Sequence, residues 1–122
     1  MYENRGNWRF ADVTSKAGLS FDGYCCRGAV FVDINGDGHT DLLVSTLGHG
    51  VLSFFNTGHG TFTNGTAFFV TASTYGSTTL AVADIDGDGT LDLYVTNYRT
   101  DDIRGRAHIP VKYVNGQAVF AP

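Results

Sequence analysis

The 122-residue sequence lacks several features that would place it in common protein classes. No apolar run approaches the roughly 18 residues of a transmembrane helix, so no membrane insertion is expected. Lysine and arginine number eight against twelve acids and form no basic stripe, which argues against nucleic-acid binding. Apolar residues make up 43% of the chain, which is too many for a disordered sequence.

Cysteine is scarce, and its placement argues against a disulfide framework. Cys25 and Cys26 are adjacent, and neighbouring cysteines can join only through a strained eight-membered ring. On a strand their side chains would point to opposite faces, one of them into the core. No second cysteine pair or histidine stands at metal-ligand spacing, so both are expected to act as small apolar residues.

Glycine and aromatic residues are abundant instead. Sixteen glycines, nine phenylalanines and six tyrosines beside only two prolines indicate a turn-rich, all-β chain. No segment shows a convincing amphipathic helix pattern. The aromatic side chains expected to fill the space between packed sheets are Trp8, Phe10, Phe54, Phe55, Phe62, Phe68, Phe69 and Phe120.

A nine-residue motif occurs twice. Residues 33–41 read Asp-Ile-Asn-Gly-Asp-Gly-His-Thr-Asp, and residues 84–92, 51 positions later, read Asp-Ile-Asp-Gly-Asp-Gly-Thr-Leu-Asp. Both copies place oxygen side chains at positions 1, 3, 5 and 9 and glycines at positions 4 and 6. Oxygen side chains that alternate on a tight loop converge on one point, and Ca²⁺ accepts six to eight such oxygens in flexible geometry. The glycines permit the positive φ that bends the loop.

Two Ca²⁺ sites are therefore predicted, with the backbone carbonyl as the ligand at position 7. Seven of the twelve acids lie in these loops, so two Ca²⁺ would bring the formal charge from −4 to about zero. A pair of acidic hairpin turns without metal is the alternative, since Asp, Asn and Gly favour turns anyway. The predicted ligands are Asp33, Asn35, Asp37, His39 and Asp41 in the first site, and Asp84, Asp86, Asp88, Thr90 and Asp92 in the second.

The residues around the motif exclude an EF-hand. Position 12 is Val44 in one copy and Val95 in the other, where an EF-hand requires a bidentate glutamate. Short apolar, β-branched runs stand on both sides of each motif, which predicts strands rather than helices. The predicted unit is strand, metal-type loop, strand.

Hairpin patterns alternate with these units. Residues 2–13, 53–63 and 112–120 each read as a hairpin, so a period of about 50 residues carries four short strands, as in a propeller blade. The sequence thus predicts one β-propeller segment over 1–122, of two to two and a half antiparallel blades. It divides into an orphan outer hairpin (1–14), a first blade (24–70) and a second blade (75–122).

The stretch from Phe31 to Leu42, with Phe55 to Phe62 after it, resembles the FG-GAP/VCBS repeat. This repeat forms the blades of integrin-α-like β-propellers and occurs in many bacterial surface proteins. Residues 84–93 match it equally well. The resemblance implies four-stranded blades with Ca²⁺ in the loop between the first two strands, and it carries the same ligands over to the positions named above. One departure is the stretch 97–110, which is longer and more charged than its equivalent at 47–52.

Together these features predict a non-enzymatic interaction or adhesion scaffold stabilised by Ca²⁺ and located at the cell surface, outside the cell or in the periplasm. A protein or glycan ligand is expected. Two blades leave an apolar face at each end, so the other expected partners are the remaining blades of a parent propeller or further copies packed head to tail. The alternatives are a polysaccharide hydrolase whose catalytic residues lie in other blades, and a unit whose main ligand is its own copy.

Overall fold

The computed structural model of the chain describes residues 1–66 and 75–98, together with the backbone of two further strands. All strand pairs are antiparallel, which confirms the predicted all-β fold class. Most of the charged stretch 97–110 lies outside the described residues. The strands are β1 (Tyr2–Asn4), β2 (Phe10–Asp12), β3 (Cys26–Val32), β4 (Asp41–Thr46), β5 (Gly50–Asn56), β6 (Phe62–Asn64), β7 (Ser77–Ala83), β8 (Asp92–Asn97), β9 (Val111–Val114) and β10 (Gln117–Phe120).

Strands β3 to β6 form one four-stranded sheet in sequence order, as a propeller blade requires. The strands β7 and β8 form a two-stranded sheet, and β1–β2 and β9–β10 are separate hairpins. The three predicted hairpins and both strand–loop–strand units are therefore present. The described strands close no propeller ring, and the predicted division into 1–14, 24–70 and 75–122 stays a prediction.

One face of the four-stranded sheet carries the main core of the described residues. The segment before β3 crosses this face and is fixed there by the N–H of Phe62, which donates to the carbonyl of Ala17 at 2.8 Å. Each valine, leucine or phenylalanine side chain buried here contributes about 1.5–3 kcal/mol. The cluster consists of Ala17, Leu19, Leu42, Val44, Leu52, Phe54 and Phe62, with Met1 and Phe21 packed against it.

The opposite face of the sheet packs against the second unit. Strand β7 lies against β3 and β4, and Leu43, which points to this side, is fully buried. Gly28 permits the close approach, because a Cβ atom there would stand 2.9 Å from the Thr78 carbonyl oxygen and 3.3 Å from the Thr79 Cα. The two units thus pack backbone to backbone at this point.

Two expectations about side chains are wrong. Cys25 and Cys26 are both exposed; Cys25 precedes β3, and Cys26 lies beside the open apolar cavity of Phe31, where no strand covers the sheet. Trp8 and Phe10 do not fill a space between sheets, since they are 88% and 55% exposed on the β1–β2 hairpin.

The other aromatic residues of that prediction divide as follows. Phe54 and Phe62 are buried, though in the core beneath the segment that precedes β3. Phe55 is half-buried. The side chains of Phe68, Phe69 and Phe120 lie outside the described residues. Within those residues, no helix is long and apolar enough to cross a membrane.

Replacement of Gly28 by alanine tests the close packing of β3 on β7. The added methyl group meets backbone atoms that cannot rotate away, so Gly28→Ala should lower the free energy of unfolding by about 1–3 kcal/mol. The control is Ala29→Val, which enlarges the next side chain on the open face of the sheet and should change stability by less than about 0.5 kcal/mol. Urea unfolding of both variants measures this; equal losses would contradict the packing described.

Candidate metal centres

The two motif copies form the loops between the first two strands of each unit. Residues 33–40 join β3 to β4, and residues 84–91 join β7 to β8. The glycines at motif positions 4 and 6 have positive φ in both loops, between 76° and 87°. A Cβ atom at these positions would be strained by the backbone conformation alone. The predicted strand–loop–strand arrangement is therefore confirmed in both copies.

Asp33, at position 1, shapes the first loop. Its Oδ1 accepts the N–H groups of Gly36 at 2.8 Å and Asp37 at 3.2 Å, and its Oδ2 accepts the N–H of Gly38 at 2.8 Å. A carboxylate that accepts three backbone N–H groups curls the chain around itself. The loop is therefore closed by its own first residue.

Asp84 does the same in the second loop. Its Oδ1 accepts from Gly87 at 2.7 Å and Asp88 at 3.1 Å, and its Oδ2 accepts from Gly89 at 3.0 Å. The same three donors are used at the same spacing, with lengths that agree within 0.2 Å between the loops. The two loops thus share one hydrogen-bond network.

Positions 3 and 5 lie together in the first loop. Asn35 Oδ1 accepts the N–H of Asp37 at 3.0 Å, and Asn35 Nδ2 donates to Asp37 Oδ2 at 2.9 Å. Asp37 Oδ1 also accepts the N–H of His39 at 2.8 Å. The N–H of His39 and then the Asn35 amide hold the pKa of the Asp37 carboxyl below its usual value, so Asp37 stays ionised.

In the second loop position 3 is a carboxylate, and the negative charge is denser. Asp84, Asp86 and Asp88 each place an oxygen within 4.8 Å of the others, and all three are exposed. The hydroxyl and N–H of Thr90 both donate to Asp88 Oδ1 at 2.7 Å and lower the pKa of Asp88, the hydroxyl more strongly. No amide separates the carboxylates here, so their mutual repulsion is available for a cation to relieve.

Position 9 has a different role from positions 1, 3 and 5. Asp41 is fully buried; its Oδ2 accepts the N–H of Ile34 at 3.1 Å, and its Oδ1 accepts the N–H of Asn56 at 2.7 Å. Asn56 Nδ2 also donates to the carbonyl of Thr40 at 2.9 Å. Asp41 therefore joins the loop to β5 as well as closing it.

Asp92, its counterpart, makes only the first of these bonds among the described residues. Its Oδ2 accepts the N–H of Ile85 at 2.9 Å. Asp92 is half-buried and is not a member of the acidic cluster of the second loop. Hydrogen bonds thus join positions 1, 3 and 5 within each loop, and position 9 also anchors the loop to its surroundings.

The remaining predicted residues are His39 and Thr90 at position 7. Both donate their N–H to the aspartate at position 5, and the assignment of their carbonyls as ligands stays a prediction. The His39 ring packs closely against Gly58, where a Cβ atom would lie 2.6 Å from Nε2. A larger residue at 58 would push this side chain away from the hairpin turn.

Sequence reasoning missed Asn56 as a part of this centre. Its Oδ1 accepts the N–H of Gly58 at 3.0 Å, while its two donors hold Asp41 and Thr40. The Asn-x-Gly pattern recurs at Asn4 and Gly6, and that repetition is the signal that could have found it.

The arrangement suits a hard cation. Each loop offers aspartate or asparagine oxygens joined by its own hydrogen bonds, and the oxygen preference of Ca²⁺ matches this donor set. An open cavity between the loops is lined by Ile34 and Gly36 on one side and by Gly89 to Leu93 on the other. The two candidate centres therefore face a common groove.

Comparison with known protein families gives two matches. The family described as an FG-GAP-like repeat matches residues 33–95, which is more than half of the chain, and the FG-GAP repeat family matches residues 76–117. Both matched ranges contain the second loop, and the first contains both loops. A search of curated proteins found no match.

The different anchoring at position 9 gives a testable asymmetry. Asp41→Ala leaves two backbone N–H groups without an acceptor at a fully buried position, and should lower the free energy of unfolding by about 2–5 kcal/mol. Asp92→Ala removes a single bond at a half-exposed site and should cost about 1 kcal/mol. Urea unfolding in the presence of a chelator measures the metal-free difference; equal costs would contradict the anchoring role of Asp41.

Proposed function

The chain belongs to the FG-GAP repeat family, and on this basis we propose that it is a non-enzymatic interaction module of β-propeller type, stabilised by one Ca²⁺ in each of its two loops. The observation that carries the proposal is the shared hydrogen-bond network of the loops. In both, three oxygen side chains are held at one point by bonds that the loop makes to itself.

The proposed ligands follow from that geometry. Side-chain oxygens at positions 1, 3 and 5 form the core of each site, with the position 7 carbonyl and the position 9 carboxylate completing it. These are Asp33, Asn35, Asp37, His39 and Asp41 in the first site, and Asp84, Asp86, Asp88, Thr90 and Asp92 in the second. Ca²⁺ fits better than Mg²⁺, because loops of mixed carboxylate, amide and carbonyl oxygens rarely give the near-ideal octahedron that Mg²⁺ demands.

Such an ion would act on stability rather than on chemistry. A ligand that binds only the folded chain adds its binding free energy to the free energy of unfolding. Extracellular Ca²⁺ modules bind at about 10⁻⁴–10⁻³ M, which suits the cell surface, the extracellular space or the periplasm. We therefore propose that the chain works at one of these locations.

The interaction role is proposed for the groove between the loops and the surface around it. Ile34 and Leu91 border this groove beside the two acidic centres. The groove would therefore offer a partner both apolar side chains and the polar groups around each bound ion. A protein or glycan partner fits such a surface. The loop carboxylates are engaged by N–H groups of their own loops, which supports a structural rather than a catalytic use of these residues.

Calcium titration by calorimetry tests the proposal. The unaltered chain should bind two Ca²⁺, and Asp37→Ala and Asp88→Ala should each leave one, because each removes a central carboxylate from one loop. Asp22→Ala, which removes an exposed carboxylate outside the loops, is the control and should still bind two.

Thermal unfolding gives a second readout of the same variants. At ten times the dissociation constant each site contributes about 1.4 kcal/mol, which corresponds to about 5–10 °C in Tm. Both loop variants should lose about half of the shift that Ca²⁺ produces in the unaltered chain. If the chain and the two loop variants show the same shift, or none, the Ca²⁺ assignment is wrong.

A further inference from the structure

The β1–β2 hairpin shares its register and five hydrogen bonds with the β5–β6 hairpin at an offset of 52 residues. Asn4 pairs with Phe10 as Asn56 pairs with Phe62. Five hydrogen bonds of one hairpin have a counterpart in the other. In β1–β2 they run from Arg5 N to Arg9 O (2.7 Å), Val13 N to Met1 O (3.0 Å), Gly6 N to Asn4 Oδ1 (2.8 Å), Thr14 N to Asp12 Oδ1 (2.9 Å) and Thr14 Oγ1 to Met1 O (3.4 Å). In β5–β6 they run, in the same order, from Thr57 N to Thr61 O (2.9 Å), Gly65 N to Ser53 O (2.9 Å), Gly58 N to Asn56 Oδ1 (3.0 Å), Thr66 N to Asn64 Oδ1 (2.9 Å) and Thr66 Oγ1 to Ser53 O (3.3 Å).

This equivalence identifies β1–β2 as the outer half of a blade whose inner half is not among the described residues. The second edge of β5 pairs with β4, with Phe54 opposite Leu42. Among the described residues β1 pairs only with β2, and Tyr2, the counterpart of Phe54, is 69% exposed. Beside Asn4, the described residues provide no counterpart of the Asp41 carboxylate that binds Asn56. The edge of β1 therefore lacks the strand that β4 provides to β5.

The β7–β8 hairpin shows the complementary gap. Strand β8 is the counterpart of β4 at an offset of 51 residues, and within the described part of the chain it pairs only with β7. Asp92 Oδ2 accepts the N–H of Ile85 as Asp41 Oδ2 accepts that of Ile34. In the first loop Asp41 Oδ1 also accepts the N–H of Asn56 in the outer hairpin. No described residue of an outer hairpin donates to Asp92 in this way. Among the described strand pairs, the inner half β7–β8 has no outer half, and the outer half β1–β2 has no inner half.

We propose that β1 of one copy of this chain pairs with β8 of a second copy, so that β7, β8, β1 and β2 form a four-stranded blade shared between two chains. The register follows from β4–β5: Tyr2 lies opposite Leu93 of the second copy. The N–H of Asn4 then donates to the Asp92 carboxylate, and Asn4 Nδ2 donates to the Leu91 carbonyl. The occupant of the β1 edge is therefore a second copy of this chain.

The turn geometry favours the β1–β2 hairpin over β9–β10 as the partner of β8. Five residues join Asn4 to Phe10, and five join Asn56 to Phe62, with asparagine as the last residue of the first strand in both. Strand β9 ends at Val114, and only two residues separate it from β10. This turn is three residues shorter than the five-residue turn that follows Asn4 and Asn56.

Exposed apolar side chains support the same assembly. Phe31, 54% exposed, borders the open cavity beside Met1 and Tyr2. Tyr94, 63% exposed, is the counterpart of Leu43, which is fully buried between the sheets. A shared blade would set Tyr94 of the second copy against Phe31. Thr79 replaces Gly28 at the point of closest approach, so these sheets would pack less closely than β3 on β7.

The first experiment measures association of the full chain by sedimentation over a range of concentrations in millimolar Ca²⁺. The unaltered chain should form species larger than its 13.1 kDa. Asn4→Asp should weaken association at least tenfold, because it keeps the acceptor for the Gly6 N–H, removes the Nδ2 donor and sets a negative charge beside Asp92 of the second copy. Asn7→Asp makes the same change in the exposed turn of the same hairpin and should not weaken association.

A chain that is monomeric at every concentration, or equal effects of the two variants, would overturn the proposal. Circular dichroism checks that both variants remain folded. Pairing of β8 with a hairpin of its own chain, or with a blade from a longer protein, would appear as the monomeric outcome.

A cross-linking experiment tests the register. Chains carrying Tyr2→Cys are mixed with chains carrying Leu93→Cys, and both also carry Cys25→Ser and Cys26→Ser to remove the native thiols. Positions 2 and 93 are chosen because residues paired across two strands lie within disulfide range. Mild oxidation should give mixed dimers. Phe10→Cys, on the far strand of the same hairpin, should give far fewer with the same partner; equal yields, or none with Tyr2→Cys, would count against the assembly.

This inference rests on the hairpin equivalence and not on Ca²⁺ binding, so the two proposals can fail separately. Calorimetry on the same samples reports the bound ions. Two Ca²⁺ on a monomeric chain would overturn the shared blade and leave the metal centres standing. Association of chains that bind no Ca²⁺ would overturn the metal centres and leave the shared blade standing.

Discussion

The structure of this chain depends on one bonding pattern, a carboxylate at the start of each loop that accepts three backbone N–H groups. Asp33 and Asp84 bend the chain back on itself in this way. The same bend brings the next two oxygen side chains to one point and sets the two flanking strands side by side. Because the loop is closed by its own hydrogen bonds, a cation that bound there would need to order the loop very little. Its binding free energy would come mainly from relief of the repulsion between the carboxylates.

The loops also connect to the sheet, and there the two copies differ. In the first unit Asp41 and Asn56 tie the loop to the outer hairpin, so the loop and the four-stranded sheet form one hydrogen-bonded body. In the second unit Asp92 has no such partner among the described residues. The two outer hairpins differ in the same way. The β5–β6 hairpin is part of the four-stranded blade, whereas the β1–β2 hairpin pairs with no other described strand. Among the described residues, the four-stranded blade is therefore the one whose loop is anchored to its outer hairpin.

Much of this fold could be read from the sequence, because its strongest signals are local. Glycines at fixed offsets indicate the loop shape, and short apolar, β-branched runs indicate the strands, so both strand–loop–strand units and all three hairpins could be predicted. Side-chain positions that depend on neighbouring sheets could not. One of the two cysteines and Phe10 were expected to pack inside, but the strands that would cover them are not part of the described structure.

The site was predictable to the same extent. The oxygen spacing identified the residues of both loops, yet it treated position 9 as equal to the others. The role of Asp41 depends on Asn56, 15 residues away on another strand, and a pattern within nine residues cannot contain that contact.

The central claim is that both loops hold Ca²⁺ through the same set of oxygens. Amide NMR during a Ca²⁺ titration tests it most directly, because the N–H groups of Gly36, Gly38, Gly87 and Gly89 are bonded to the proposed ligands Asp33 and Asp84. The account predicts large shifts of these four resonances at millimolar Ca²⁺, in both loops, with smaller changes elsewhere. Resonances that stay in place in either loop at saturating Ca²⁺ would contradict it.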